Sequence, residues 1–377
     1  MESKNVLEVF KTVQNKPLIS RTEIAKITHL SQSTVGRCIQ RLLGKNFLIE
    51  KTNGKSTGGR PPVFLDINKK NSFSVGIEIG ESHIDVVLLN LVYEIIESKS
   101  KKIDNNITVE SLTSIIQEMY DKILYESHIS KEYIISVGLG VPGIVSADQK
   151  KLLLSPNLKW GNISLGEILE DKLQKPVFLD NGANLMTFAE YHFNKLPLDS
   201  MVLGIIVGKG IGTGLITKKE IFRGVNGAAL EAGHSVIKLD GPLCSCGRKG
   251  CVEALASLPQ MIRCYNSKTN KKVKNIDEFH QLVEQNDKLA LSILDEEAYY
   301  LAILSANLAN IINPSHIIIG GEISPILPYS IEKMKNLFNS QVLSTNKCEL
   351  ISSNLNEKSI AFGAAIMAIE KEIEEYL

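Results

Sequence analysis

Residues 231–253 read EAGHSVIKLDGPLCSCGRKGCVE and place one imidazole and three thiols, His234, Cys244, Cys246 and Cys251, within eighteen residues. These are the donor types of a closed tetrahedral zinc site. A C-x-C pair, a third Cys five residues on, and a His ten residues upstream of the pair form a metal-binding pattern. Four protein donors leave no open position for a catalytic water, so the expected role of the metal is structural; the bland alternative is a set of unmetallated core cysteines. Gly247 and Gly250 let the chain turn tightly around a small ion. Two carboxylates, Glu231 and Glu253, bracket the stretch. The remaining cysteines, Cys38, Cys264 and Cys348, are scattered and read as ordinary core or surface residues.

Working outward, 377 residues with 44% hydrophobic and 22% charged side chains suit two or three ordinary globular domains. No apolar run is long enough to span a bilayer, and the polar start MESKN does not read as a secretory signal. The expectation is a cytoplasmic protein without a membrane partner, where clustered cysteines favour metal over disulfides. The formal net charge of zero hides an asymmetry. Residues 1–60 hold eleven Lys/Arg against four Glu, and the remainder holds 31 basic against 38 acidic residues. A basic head on an acidic body points to nucleic acid at the N-terminus only.

The head carries a motif to match. Val6, Leu7, Val9, Phe10 and Val13 give a first amphipathic helix. Ser20 followed by Glu23 is a capping-box pattern opening a second. After the turn Thr28-His29-Leu30, Ser31 caps a third helix from Gln32 to about Gly44, whose Val35, Ile39 and Leu42 form a buried face. Gln32, Ser33, Thr34, Arg37, Gln40 and Arg41 lie opposite, as on a recognition helix offering side chains to base edges and phosphates. Residues 47–50 and 63–66 read as two strands flanking KTNGKSTGGRPP, the wing of a winged helix-turn-helix. Its Lys51, Lys55 and Arg60 are the expected phosphate or minor-groove contacts. The plainer alternative is a small three-helix interaction domain with solvated charges.

From residue 72 the pattern changes. Three strands (74–80, 84–90, 93–98), a helix (108–126) and a strand (134–141) are followed by helix 164–174, strand 176–180 and helix 183–194. A second set begins with strand 201–207, the Gly-rich loop 208–214 and strand 215–217. Helices then fill roughly 255–312, strand 316–319 leads into Gly320-Gly321, and a final helix starts near Ser359. The repeated order predicts two α/β lobes facing across a cleft.

With these motifs the chain resembles the ROK family of repressors, open reading frames and sugar kinases. The basis is Glu231-Ala-Gly-His234, similar to the family's E-x-G-H, and residues 244–253, similar to C-x-C-G-x-x-G-C-x-E. The winged-helix front and GGRPP wing resemble its repressor branch. The resemblance implies a two-lobed actin-like (ribonuclease H-like) sugar-kinase α/β fold behind a winged helix-turn-helix. Expected boundaries are 1–68 for the head, 72–190 plus 358–377 for the first lobe, and 191–357 for the second. It also implies a sugar bound between the lobes by Asn181, Glu231, His234 and Glu253, with Gly143 and Asn157 as further lining residues. His234 would hold zinc through one nitrogen and face the sugar with the other.

A kinase needs a carboxylate to accept the proton of the attacking hydroxyl. The family's N-D-x-N reads Asn181-Gly182-Ala183-Asn184 here, and Gly182 occupies the position of the base. The first phosphate loop, D-x-G-x-T in the kinases, with its Asp serving the metal, reads Glu78-Ile-Gly80-Glu-Ser82; the second, residues 207–214, looks intact. The expected protein is a non-enzymatic, sugar-responsive DNA-binding regulator, most simply a repressor, acting on operator DNA as a homodimer or homotetramer. The alternative is an ATP-dependent sugar kinase with a fused DNA-binding head.

Overall fold

A computed structural model describes residues 2–52, 63–80, 82–104, 107–155, 158–197, 199–225, 227–355 and 358–375. The head consists of α1 (Glu2–Asn15), α2 (Arg21–Thr28), α3 (Gln32–Gly44), β1 (Leu48–Thr52) and β2 (Val63–Ile67). Ser20 and Glu23 form the reciprocal capping box of α2, and the Ser31 hydroxyl accepts from the Thr34 N–H at 3.1 Å to start α3. His29 takes φ 56° to end α2, so the turn between the two helices costs only three residues. Val6, Val9, Phe10 and Val13 are fully buried, together with Ile39 and Leu42. β1 and β2 pair antiparallel from Leu48↔Ile67 to Thr52↔Val63, the stem of the wing. Residues 53–62, including the expected contacts Lys55 and Arg60, lie outside the described residues.

The first sheet has the order β10-β6-β3-β4-β5. Its strands are β3 (Phe73–Ile79), β4 (His83–Asn90), β5 (Ile95–Lys102), β6 (Ile134–Val141) and β10 (Val177–Asn181). β3 runs antiparallel to β4 and parallel to β6, and every residue of β3 is buried, as a strand covered on both faces requires. α4 (Val109–Ser127) buries Leu112, Ile116, Tyr120 and Ile123 in the same core as Val75, Ile77 and Val86. A small antiparallel sheet, β7 (Ile144–Val145), β8 (Leu152–Ser155) and β9 (Trp160–Ile163), interrupts the sequence before α5 (Leu165–Leu173).

The second sheet has the order β13-β12-β11-β14-β15. Its strands are β11 (Val202–Val207), β12 (Ile211–Thr217), β13 (Glu220–Ile221), β14 (His316–Gly320) and β15 (Glu349–Ser352). β11 repeats the role of β3, antiparallel to β12 and parallel to β14. The helical region expected over 255–312 resolves into α7 (Val252–Ala256), α8 (Leu258–Lys268), α9 (Ile276–Glu284) and α10 (Lys288–Ile312). α6 (Gly182–Phe193), α11 (Ile331–Gln341) and α12 (Ser359–Glu375) complete the chain.

The chain divides into two compact units, Met1–Asp180 with Ala364–Leu377, and Asn181–Gly363. The break at 180/181 precedes the expected one at 190/191 because α6 packs on β11 and β12. A Cβ on Gly214 would lie 2.6 Å from the Ala183 carbonyl oxygen and from Thr187 Oγ1, so only a glycine strand lets the helix come this close. Leu91, Ile369 and Ile373 share the hydrophobic core of the head.

Candidate functional site

The residues of the opening stretch come together in the second unit. His234, Cys244, Cys246 and Cys251 each offer a donor atom within 4.8 Å of the others. Cys244 Sγ is 3.5 Å from His234 Nδ1, and Cys246 Sγ is 3.6 Å from Cys251 Sγ. Donors bound at zinc distances around one tetrahedral centre are about 3.5–3.8 Å apart, so the spacing fits such an ion. The cysteines are free thiols. The backbone explains the convergence. The Cys244 N–H donates to the Arg248 carbonyl at 2.8 Å and the Gly247 N–H to the Cys244 carbonyl at 2.9 Å, closing a tight loop. Gly247 and Gly250 take φ 87° and 75°, and a Cβ on Gly250 would meet the Lys238 carbonyl oxygen at 1.6 Å. The expected turning role of both glycines is therefore present.

The thiols are not equivalent. Hydrogen bonds from the Arg248 backbone and guanidinium hold the Cys246 thiol down to about 6, whereas burial and the neighbouring Cys246 sulfur push Cys251 up to about 12. A divalent cation among them would deprotonate the coordinating thiols.

His234 closes a short 3-10 turn, Ala232–His234, that packs against β12. Its Nδ1 lies 3.5 Å from Cys244 Sγ, so Nδ1 is the nitrogen placed for a metal. Glu253, on α7, lies beside the cluster, with Oε1 4.0 Å from His234 Nδ1 and 3.1 Å from the Ser245 hydroxyl. Its Oε2 accepts from the Ile211 N–H at 3.3 Å, over Gly210, where a Cβ would meet that oxygen at 2.8 Å. Glu253 thus ties the cysteine loop to the Gly-rich loop before β12. Ser245 and the Ile211 amide had no sequence signal as its partners. Glu231 is exposed at the start of the same 3-10 turn.

The other expected ligand residues are placed differently. The Asn181 side-chain oxygen caps α6 by accepting from the Ala183 N–H at 2.8 Å. Gly182 is the first residue of that helix. Asp180, one residue before Asn181, is buried with Oδ2 3.5 Å from Gln149 Nε2. Gly143 belongs to the first unit, where its backbone lies so close to β8 that a Cβ would be 2.3 Å from the Leu154 carbonyl oxygen; packing alone requires glycine there. Asn157 lies outside the described residues.

On α3, Gln32, Ser33, Arg37, Gln40 and Arg41 are exposed and Thr34 is half-buried, the one-sided arrangement expected of a recognition helix. Lys51, by contrast, is ion-paired across the wing stem with Asp66 at 2.5 Å.

Residues 74–371 match the ROK family model. The chain belongs to the ROK family. Residues 2–48 match a winged helix-turn-helix DNA-binding model, which makes this ROK protein a two-part chain. It is 31% identical over 379 residues to a xylose repressor of Caldicellulosiruptor bescii, covering 97% of this chain and 95% of that protein. A glucokinase of Halalkalibacterium halodurans is also 31% identical, but over 283 residues and 71% of this chain. In fold it is similar to a ROK family transcriptional regulator, a homologue of the E. coli MLC protein, with a TM-score of 0.84 at 21% identity over 99% of this chain and 96% of that one. Among the described residues no helix is long and apolar enough to cross a membrane.

Proposed function

We propose that this ROK protein is a sugar-responsive transcriptional repressor that binds operator DNA through α3 and the wing and releases it when a sugar binds near His234. The observation that carries the reading is one juxtaposition within a single chain. A capped helix-turn-helix with its polar face exposed is joined to a body that keeps Glu231, His234 and Glu253 but has Gly182 where a phosphoryl-transfer base would stand. The full-length similarity to a xylose repressor supports it.

The chemistry follows from the side chains. Sugar hydroxyls both donate and accept, so the Glu231 carboxylate accepts from them and His234 Nε2 meets them from the turn it shares with Glu231. Glu253, held by Ser245 and the Ile211 amide, fixes the loop that presents the imidazole. Zinc on His234, Cys244, Cys246 and Cys251 would be structural, setting the tautomer and orientation of His234. A homodimer presents two recognition helices, and a sugar that prefers one arrangement of them shifts the DNA-bound population. Glycine cannot accept a proton, so the sugar leaves unchanged.

A thermal-shift screen against a sugar panel, followed by gel shifts on DNA flanking the protein's own gene, tests this reading. A sugar that raises the melting temperature and releases the DNA is expected; a panel in which no sugar changes either would overturn it. Cys246→Ser should lose zinc and weaken the sugar response, and normal sugar binding without zinc breaks that link.

A second reading, an ATP-dependent sugar kinase, is favoured by the glucokinase similarity and the intact Gly-rich loop 208–214. A coupled assay separates them: sugar-dependent ATP turnover abolished by Glu231→Ala establishes the kinase, and its absence leaves the receptor.

A further inference from the structure

Besides the cysteine cluster, one other group of metal-type donors converges among the described residues: Glu78, His83 and Asp85. Sheet geometry brings them together. Glu78 on β3 is the register partner of Asp85 on β4, so both carboxylates leave the same face. His83 precedes Asp85 by two residues, the strand period, and joins that face. The three donor atoms lie within 4.8 Å of one another. His83 Nε2 is 3.2 Å from Asp85 Oδ2 and 3.9 Å from Glu78 Oε1.

The burial and charge of these side chains favour a cation. The Glu78 and Asp85 side chains are only 11% and 8% exposed. Like charges directly opposite on paired strands repel, and burial removes the water that would screen them. The backbone is shaped around the ring. The Gly80 N–H donates to the His83 carbonyl at 2.9 Å to close the hairpin, and a Cβ on Gly80 would strike His83 Cε1 at 2.7 Å. The seat of the imidazole therefore depends on glycine at position 80.

We propose that Glu78, His83 and Asp85 form a second metal site, for a divalent first-row transition cation, distinct from the cysteine cluster. One imidazole nitrogen and two carboxylate oxygens suit manganese, iron, cobalt or zinc, whereas thiolates select zinc. Three donors from one face leave the remaining positions to water or an anionic ligand. The resemblance to the kinases assigns this hairpin's first acid to the metal that accompanies a nucleotide. Here an imidazole and a second carboxylate complete a protein-held set, so the ion requires no nucleotide.

The experiment uses the full-length protein purified with zinc, dialysed free of loose metal and titrated with Mn2+ in the absence of nucleotide. Binding is followed by the loss of the free Mn2+ electron paramagnetic resonance signal and by calorimetry. One Mn2+ per chain is expected in addition to the cysteine-bound metal. His83→Ala and Asp85→Asn should each weaken it at least about tenfold. Cys246→Ser should leave Mn2+ affinity within about twofold, which keeps this site separable from the zinc-dependent sugar response. Wild-type stoichiometry decides the matter even where a variant folds poorly. No Mn2+, Co2+ or Zn2+ bound beyond the cysteine site overturns the proposal. So does binding that appears only with added ATP, or binding that survives both substitutions unchanged.

Discussion

Glu297 sits in the interior of α10 at 4% exposure, and its Oε2 has no hydrogen-bond partner among the described residues. Burial first, then the charge of Glu296, pushes its carboxyl up to about 9, against a smaller pull from Lys268. The folded chain therefore keeps this proton while the unfolded chain releases it near the ordinary value of 4.5. Between those values the folded state binds more protons, so this group's contribution to stability falls as pH rises through the window and levels off above it. Glu297→Gln supplies a neutral isostere and should stabilise the protein by about 1–3 kcal/mol at pH 7–8. The gain should shrink towards zero at pH 5; equal melting shifts at pH 5 and pH 8 would show that Glu297 is ionised in the fold. Gly182 poses the opposite question, of a carboxylate that is missing. A Cβ there would come nearest to the far end of Ile360, Cδ1 at 3.1 Å, and an acid at a helix N-terminus is favourable. Gly182→Asp should fold with stability within about 1 kcal/mol of wild type. It should show no ATP turnover, because Glu78 and Ser82 still stand where a kinase phosphate loop has Asp and Thr. Turnover in the variant but not in the wild type would place the difference from a kinase at this single position.

α3 carries both a structural and a recognition role, and the two can be separated. Ser31→Ala removes the cap on the Thr34 N–H and should cost about 0.5–2 kcal/mol of head stability. Arg37→Ala leaves the packing of Val35, Ile39 and Leu42 intact and should weaken operator binding by about 1–3 kcal/mol if the arginine reads a base. An unchanged gel shift with the Arg37 variant removes α3 from the DNA interface. The head helices were legible in the sequence because caps and a 3.6-residue apolar period are local properties. The two central strand pairs were legible because 202–207 is apolar throughout and 74–79 is broken only by Ser74 and Glu78. β7, β8 and β9 were not, since strands of two to four residues carry no period. Nor was the allegiance of α6, which is set by close approach to Gly204 and Gly214 rather than by its own composition. The same division runs through the site. The spacing of His234 and the cysteines announced their convergence. The Ser245 and Ile211 amide contacts to Glu253, and the meeting of His83 with Glu78 and Asp85, depend on loop closure and strand register.

At the scale of the whole molecule, α12 spans the division of the chain, with Ser359–Gly363 in one unit and the rest of the helix in the other. Its far half is built into the head. Ile369 and Ile373 are fully buried in the head's core. Between them, Glu370 accepts from Lys11 at 2.7 Å and from the Tyr93 hydroxyl at 3.3 Å. Burial and the Glu370 carboxylate hold the Tyr93 phenol well above its ordinary value, so it remains a donor at any working pH. Gln14 donates to the Leu91 carbonyl at 2.7 Å and fastens α1 to the same place. A head fixed in this way follows α12, and a sugar can act on DNA only through an arrangement it binds preferentially. Lys11→Ala and Glu370→Gln loosen that attachment without touching α3 or His234. Both variants should retain the sugar-induced rise in melting temperature, while the sugar-induced loss of operator affinity shrinks at least tenfold, about 1.4 kcal/mol of coupling. Lys11 and Glu370 are 15% and 10% exposed, so the single variants should also lose about 1–3 kcal/mol of stability. Comparing them at a temperature where both are folded isolates the coupling. Wild-type release of operator DNA by sugar in both variants would mean that the signal reaches the head by a route other than α12.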